Sequence, residues 1–335
     1  MSRRLRILFP VIRLEHPHSF IARDIATLRT RHDVSVMRCV TPGEIAACLR
    51  AVRGHDLLFC WFGSLRYAPV VLTARALGRK VIVVAGGYDV ANEPQIGYGN
   101  MQDSGGWFIA RAIGRLLFRN AHQVVTYSDA GTREAEANAL VERRRLEMIP
   151  LGFDIDTAPP AGKERLVLTV SAIDESTIYR KGLLQVARVS RLLPDVRFIL
   201  AGRSQPEALA RLRYEAGDNM EFPGFVSDEE LTALYRRAAV YLQPSLHEAF
   251  GCSVAEAMAH RCVPVVSRRG SLPEVVGDAG FYGDPDDLES VAAAVRKALD
   301  AGPAVAEAAR TRIRDVFPAT RRHDRLLELV DQVAR

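Results

Sequence analysis

The chain has 335 residues, of which 48% are hydrophobic and 25% charged, and a formal net charge of +5. This composition is typical of a soluble globular enzyme with two domains and excludes a largely disordered protein. The apolar runs fall far short of the roughly 20 residues that a membrane-spanning helix needs. The Arg-rich start lacks the apolar region and the cleavage site of a signal peptide, so we expect a cytoplasmic protein. An odd number of cysteines without C-x-x-C spacing argues against a zinc site or a disulfide framework; they are Cys39, Cys48, Cys60, Cys252 and Cys262.

In the first half of the chain, short β-branched runs alternate with stretches of helical periodicity. Such alternation predicts a parallel sheet with helices on both faces. The predicted strands are Arg6–Ile12, Val34–Met37, Leu57–Phe62, Lys80–Ala85, Gln123–Tyr127 and Leu146–Pro150, and the predicted helices are 20–31, 44–53, 70–77, 106–121 and 132–140.

The alternation restarts after Asp156–Gly162, a segment whose two prolines suit a linker. We expect an irregular stretch before Arg180. We also expect a final amphipathic helix over residues 319–335 that packs back on the first domain. The predicted fold is α/β, with two doubly wound, Rossmann-like domains over residues 1–152 and 163–318 that face a cleft. The strands of the second domain are predicted at Leu166–Val170, Val196–Leu200, Met220–Phe222, Val240–Gln243 and Val263–Val266, with helices beginning at Gly182, Pro206, Asp228 and Cys252.

The positive charge is concentrated in the first half. Residues 1–150 carry 21 Lys plus Arg against 13 Asp plus Glu, whereas the rest carries 24 against 27. Arg111, Arg115 and Arg119 share one face of a predicted helix, beside aromatic and aliphatic positions. Three interpretations stay open: peripheral contact with the anionic inner face of a membrane, contact with an acidic acceptor, or the solvated side of an ordinary amphipathic helix. No nucleic-acid partner is expected, because aromatic residues do not interleave with the basic ones.

Two glutamates, Glu248 and Glu256, lie eight positions apart around a predicted strand, loop and helix. Glu256 falls in an apolar stretch, and burying an ionised carboxylate there is strongly unfavourable without partners. A ribose diol would be one such partner, and the helix N-terminus at Gly251 or Cys252 would attract phosphate. The alternative is that Glu248 serves the helix dipole while Glu256 pairs with an arginine of the protein.

An ordered set of motifs resembles the retaining, nucleotide-sugar-dependent glycosyltransferases of family 4, which have the GT-B fold. The resemblance covers residues 150–290 and includes the E-x7-E signature at Glu248 and Glu256. The other matching segments are Ile149-Pro-Leu-Gly152-Phe-Asp154, Arg180-Lys181-Gly182, Phe222-Pro-Gly224-Phe-Val226-Ser-Asp-Glu-Glu230-Leu and Leu272-Pro-Glu274-Val-Val-Gly-Asp-Ala-Gly280.

The resemblance implies a role for each matching residue. Glu256 would bind the ribose hydroxyls, Glu248 would hold hydroxyls of the transferred sugar, and Lys181 with Arg180 would face the diphosphate. Backbone N–H groups of the loop would stabilise the charge of the leaving group. The expected co-substrate is a UDP-, GDP- or ADP-sugar, with neither cofactor nor metal, and Asp284-Pro-Asp286 is interpreted as a surface turn. The loop positions are Ala249, Phe250, Gly251 and Cys252, and the segment expected to border the base is Gly224, Phe225 and Val226.

The chain departs from the family pattern at three places. The usual Gly-Arg after the first strand of the second domain is replaced by Ser171-Ala172, so Arg180 or Arg203 would have to supply the charge. The glycine-rich first loop is replaced by a segment containing His16 and His18, which we consider as candidates for contact with the acceptor. The usual His-Gly-x-Asp becomes Gly86-Gly87-Tyr88-Asp89, whose last three residues are further acceptor-side candidates.

The prediction from sequence is a retaining, metal-independent glycosyltransferase that moves a hexose to a hydroxyl of a glycan, a lipid or a small molecule. Because the departures surround the expected reaction centre, two alternatives stay open. One is a non-catalytic module that binds a sugar nucleotide or a protein partner, and the other is a sugar-nucleotide epimerase.

Overall fold

A computed structural model describes residues 3–13, 19–103, 107–158 and 162–335. The chain divides into two compact units: residues up to Gly152 together with Ala319–Arg335, and Phe153–Pro318. In the described ranges, every helix is too short or too polar to cross a membrane.

The first unit is built on a parallel sheet of short strands, of which β1, β3, β4 and β5 are apolar and mostly buried. The chain runs β1 Arg6–Val11, α1 Ser19–Arg29, β2 Asp33–Arg38, α2 Pro42–Ala51, β3 Leu57–Trp61, α3 Ala68–Ala76, β4 Lys80–Val84, α4 Phe108–Arg119, β5 Gln123–Thr126, α5 Asp129–Ala137 and β6 Leu146–Met148. The strand order is β2-β1-β3-β4-β5-β6. Local chemistry fixes several helix starts; for example, Thr41 and Glu44 form a reciprocal capping box at the start of α2.

The second unit repeats this architecture. It comprises β7 Glu164–Val170, α6 Glu175–Arg180, α7 Leu183–Leu192, β8 Arg197–Ala201, α8 Pro206–Glu215, β9 Met220–Gly224, α9 Asp228–Arg237, β10 Ala238–Gln243, α10 Cys252–Ala259, β11 Val263–Val266, α11 Leu272–Val276, β12 Phe281–Tyr282, α12 Leu288–Leu299 and α13 Pro303–Val316. Its strand order is β12-β11-β10-β7-β8-β9, and all pairings are parallel. The last helix, α14 Ala319–Ala334, packs on α1 in the first unit.

Three predictions about the second unit need correction. The stretch before Arg180 is not irregular, because Asp174 and Thr177 form a capping box that starts α6. The short edge strand β12 was not predicted, because a strand of two residues has no detectable periodicity in the sequence. Helices α11, α12 and α13 are further elements that the prediction did not include, although α12 has a regular apolar face with Val291, Val295 and Ala298 buried.

Candidate functional site

The predicted site residues of the second unit follow the carboxyl ends of its strands. Because the strands are parallel, the loops after β7, β8, β9 and β10 all emerge at one edge of the sheet. From β7 the chain builds outward through β8 and β9 and then returns to the other side of β7 to form β10. Ligands of doubly wound sheets bind at such a reversal of strand order. Glu248 lies in the loop after β10, whereas Arg180 ends α6, the first helix after β7, and Lys181 follows it.

Glu248 is buried and held by two side-chain donors. Lys181 Nζ lies 2.8 Å from its Oε2, and Gln243 Nε2 donates to the same oxygen at 2.7 Å. Burial alone would raise the pKa of Glu248, but the charges of Lys181 and Arg180 outweigh it, so the pKa lies below its ordinary value. The carboxylate is therefore ionised at neutral pH and paired with an ammonium group.

Close backbone packing fixes the loop that carries Glu248. Gly182 has φ +67°, and a Cβ there would lie 2.2 Å from the carbonyl oxygen of Pro244. A Cβ on Gly270 would lie 2.3 Å from the carbonyl oxygen of Glu248. The N–H of Leu246 donates to the carbonyl oxygen of Arg180 at 2.8 Å. These contacts hold the loop against the residues that follow α6, so the ion pair is preorganised.

Glu256 is the less buried of the two glutamates, contrary to the expectation from its apolar neighbours. Its backbone lies in the buried helix α10, but its side chain is half-buried and accepts a hydrogen bond from the Tyr235 hydroxyl at 3.1 Å. The Tyr235 ring stacks on His260 at 5.3 Å between centroids. Burial and the neighbouring Glu256 carboxylate raise the pKa of Tyr235 well above its ordinary value, so the hydroxyl stays a donor.

Between the two glutamates the structure has the predicted loop, followed by a helix that begins at Cys252. Gly251 precedes α10 with φ +98°, a conformation that favours glycine. Phe250 is buried, and its ring stacks on Phe153 at 5.7 Å, so a ligand would meet its backbone rather than its ring. Burial raises the pKa of Cys252 to about 12, with Glu256 and Glu248 adding to the effect, which gives no support to a nucleophilic thiol. Ala249 is half-buried beside them.

The remaining candidates of this unit form a second group on neighbouring loops. The Arg203 guanidinium lies 4.6 Å from the ring centroid of Phe225, whose side chain is 66% exposed. Gly224, the last residue of β9, accepts a hydrogen bond from the Gly202 N–H, and Val226 two residues later is half-buried. Of the two arginines expected to replace the missing Gly-Arg, Arg180 therefore adjoins Glu248, whereas Arg203 stacks on Phe225.

The candidates of the first unit have a different character. Asp89 is buried and accepts hydrogen bonds from the backbone N–H groups of Gly63 and Gly86, the latter at 2.8 Å. Burial raises its pKa to about 6, although these hydrogen bonds oppose the rise. Gly87 has φ +103°, and Tyr88 is 41% exposed. His16 and His18 lie outside the described residues.

Two residues that were not predicted from the sequence, Gln243 and Tyr235, complete these networks. Gln243, fully buried at the end of β10, donates to Glu248, while its oxygen accepts from Ser253 Oγ at 3.0 Å. An amide that ends an otherwise apolar strand was the available signal. Tyr235 gave no comparable signal, because it belongs to an ordinary helical pattern. Asp286 of the predicted surface turn is exposed and pairs with Arg269 at 3.0 Å.

Comparisons with known proteins agree with this architecture. Residues 154–314 match the family model described as glycosyl transferases group 1. The second unit belongs to this family. The family predicted from the sequence motifs is thereby confirmed for the unit that carries them.

Two curated relatives are similar to parts of the chain. An MMP alpha-(1->4)-mannosyltransferase from Mycolicibacterium hassiacum is 30% identical over 203 residues, which cover 58% of this chain and 49% of the relative. The O-antigen chain mannosyltransferase B of Escherichia coli is 35% identical over 125 residues, covering 36% of this chain and 33% of the relative. The chain thus spans less than half of the length of these two relatives.

The similarity in fold to a solved structure covers nearly the whole chain. The crystal structure of Anabaena HepE in complex with UDP and glucose superposes with a TM-score of 0.79 at 16% identity, covering 98% of this chain and 100% of that one. The predicted GT-B architecture of two parallel-sheet units is confirmed. At this identity the superposition shows the fold alone.

Proposed function

We propose that the protein is a retaining glycosyltransferase that moves a hexose from a nucleotide diphosphate sugar to an acceptor hydroxyl. The observation that carries the proposal is the Lys181–Glu248 ion pair, preorganised at the strand reversal of a group 1 family unit. Mannose is the first candidate sugar, because the two relatives compared above are named as mannosyltransferases. UDP, GDP and ADP remain candidate carriers.

In the proposed complex, each group of the second unit binds one part of the donor. Glu256, aligned by the Tyr235 hydroxyl, accepts hydrogen bonds from the ribose diol. The diphosphate lies at the start of α10, where the first turn of a helix presents N–H groups without intrahelical partners. Lys181 and Arg180 add positive charge there, and Glu248 accepts hydrogen bonds from the sugar. Gly224, Phe225 and Val226, with Arg203, border the base.

The proposed reaction breaks the bond between the anomeric carbon and the diphosphate oxygen. The acceptor oxygen forms its bond to that carbon on the same face, and its proton passes to the departing diphosphate. Charge accumulates on the leaving group as the bond breaks, and groups already aimed at that charge lower the barrier. In this chain those groups are Lys181, Arg180 and the loop backbone from Ala249 to Cys252.

The acceptor is proposed to be a glycan, a lipid-linked molecule or a small molecule with a free hydroxyl. Tyr88 is the acceptor-side candidate with an exposed side chain, whereas Asp89 supports the backbone beside Gly87. His16 and His18 stay candidates from the sequence. We also propose that the protein works in the cytoplasm; buried, unpaired thiols such as Cys39 and Cys48 are usual in a reducing compartment.

Donor binding can be tested first, and turnover of the donor second. A thermal-shift screen with GDP-mannose, UDP-glucose and ADP-glucose should reveal a donor, because a ligand at 100 times its Kd stabilises the fold by about 2.7 kcal/mol. With that donor, slow release of nucleoside diphosphate is expected from the wild type and not from Glu248→Gln. Glu289→Gln changes an exposed glutamate of the same unit and serves as the matched control.

The same experiment separates the alternatives. Stabilisation by a donor without turnover, with or without added acceptors, would favour a non-catalytic binding module. Conversion of the donor to an isomer without release of nucleoside diphosphate would favour an epimerase. Absence of stabilisation by all three donors would count against the proposed donor site.

A further inference from the structure

Helix α4 of the first unit exposes an apolar face to solvent. The exposed fractions are 65% for Phe108, 57% for Ile109 and 43% for Leu116, and Trp107, just before the helix, is 36% exposed. Residues 108, 109, 112 and 116 share one side of a helix, so these side chains form a continuous strip. Soluble proteins rarely leave such a strip uncovered without a partner.

The opposite face of α4 is firmly packed. Gly114, Leu117 and Phe118 are buried, and a Cβ on Gly63 would lie 2.5 Å from the Phe118 ring. Arg115 donates to the carbonyl oxygen of Asn138 at 2.9 Å, and Arg111 pairs with Asp103. The helix is therefore held in place by its buried side, and two of the three arginines predicted to form its cationic face are engaged with the protein.

A basic cluster adjoins the carboxyl end of the same helix. Arg145 donates to the carbonyl oxygens of Arg119 and Ala121, at 2.7 and 3.1 Å. This anchors the segment Arg143–Arg145 beside the exposed Arg119, and the side chains of Arg143 and Arg144 are 70% and 79% exposed. Two acids lie among them: Glu142 pairs with Arg144 at 2.7 Å, and Glu136 lies 3.7 Å from Arg143. Four arginines against two glutamates leave the cluster positive.

We propose that this combined surface, the apolar strip of α4 with the Arg143–Arg145 cluster, binds an anionic membrane. Phe108, Ile109 and Leu116 enter the boundary between headgroups and acyl chains, and Trp107 lies at the headgroup level, where amphipathic aromatic rings accumulate. Arg119, Arg143 and Arg144 contact lipid phosphates. An uncharged protein partner would not explain the arginines beside the apolar strip. The inference does not depend on the reaction, since all the residues belong to the first unit.

The two tryptophans make the test direct. Trp61 is 2% exposed and its fluorescence reports the protein interior, whereas Trp107 belongs to the proposed membrane-binding surface. Phosphatidylcholine vesicles with about 30 mol% phosphatidylglycerol have a negative surface potential that attracts arginines. Adding them should blue-shift the tryptophan emission of the full chain. Brominated lipids should quench it, and pure phosphatidylcholine vesicles should do neither. Co-sedimentation with the same vesicles gives the partition constant.

Variants assign the binding to this surface. The double variant Phe108→Ser/Ile109→Ser should weaken partition about tenfold or more, and Arg143→Gln/Arg144→Gln should weaken it at least roughly fivefold. Tyr214→Ser, which alters a 79% exposed aromatic side chain of the second unit, should change nothing. Absence of vesicle binding by the wild type would overturn the proposal. So would binding by the Phe108→Ser/Ile109→Ser variant that is as strong as that of the wild type. So would concentration-dependent dimerisation in ultracentrifugation that the double variant abolishes, because the strip would then be a contact between copies of the chain.

Discussion

The buried carboxylates of the two units differ in what holds them. In the first unit, Asp24 accepts hydrogen bonds from Trp61 Nε1 at 2.8 Å and from two guanidinium nitrogens of Arg322 at 2.8 and 2.7 Å. Asp89 is held by backbone N–H groups. In the second unit, Glu248 is held by the side chains of Lys181 and Gln243 at a loop edge.

This difference separates framework from function. Donors that belong to the backbone, or to side chains locked in the core, cannot turn toward a ligand. The Lys181 ammonium group, partly exposed at the carboxyl edge of the second sheet, can shift its hydrogen bond when a ligand arrives. A buried acid alone therefore does not indicate a site, whereas a buried acid with side-chain donors at this edge does.

The largest expected effect is on the framework of the first unit. Arg322→Met leaves Asp24 buried without its cation, and breaking a buried pair in this way costs about 3–5 kcal/mol. Urea unfolding should reveal a loss of that size. Arg325→Met in the same helix removes a pair whose arginine is 47% exposed, and should cost less than about 1 kcal/mol. Equal losses in the two variants would show that Asp24 is not held as described.

The next effect is on the site of the second unit. Lys181→Met removes the cation proposed to face the diphosphate, and turnover of the donor should fall by about 10²–10³-fold. Lys297→Met, which alters an exposed lysine of the same unit, should leave turnover unchanged. Circular dichroism spectra of both variants check the fold. A folded Lys181→Met variant with wild-type turnover would remove Lys181 from the proposed mechanism.

The pH dependence of stability should distinguish Asp89. Its folded pKa of about 6 lies above the ordinary value of 3.8, so the folded state binds more protons than the unfolded state between these pH values. Its contribution to stability is fully present below pH 3.8 and is lost as the pH rises through 6, a change of about 3 kcal/mol. Relative to Asp89→Asn, the wild type should therefore lose stability from pH 4 to pH 6 in urea titrations, with about that amplitude. Parallel curves for the two proteins would contradict the raised pKa.

The smallest of these effects concerns Gln243, which we assign a positioning role. Gln243→Leu removes the side-chain hydrogen bonds that Gln243 makes with Glu248, Ser245, Ser253 and Tyr241, at a cost of about 1–3 kcal/mol. Because Gln243 positions Glu248, kcat for donor turnover should fall more than KM rises. Gln243→Glu would set two carboxylates against each other and should be worse than Gln243→Leu. A variant that loses stability but keeps kcat would reduce Gln243 to a structural residue.

Much of the second unit was predictable from sequence because its motifs follow strand ends. Short apolar runs identify β7 to β11, and Gly251 at a helix start locates the loop of Glu248. The family follows from several motifs in a fixed order, which a single pair of glutamates could not have indicated.

The remaining features depend on contacts between distant residues. Tyr235 meets Glu256 from another helix, and Arg322 reaches Asp24 across 298 positions. Glu256 was expected to be the deeper acid from its neighbours, but helix periodicity turns its side chain away from the core face that Val254 and Met258 occupy. Asp89 was predicted on the acceptor side from its place in a motif, and its hydrogen bond from the Gly63 N–H comes from outside that motif.

The central claim is that the carboxyl edge of the second sheet binds a nucleotide sugar through Glu256 and its neighbours. Calorimetric titration of wild type, Glu256→Gln and the control Glu289→Gln tests this most directly, using whichever of GDP-mannose, UDP-glucose and ADP-glucose gives the largest thermal shift. We expect one site per wild-type chain and per Glu289→Gln chain, with an affinity at least tenfold lower, about 1.4 kcal/mol, in Glu256→Gln. Equal affinity in all three proteins, or no binding of any of these donors to the wild type, would contradict the claim.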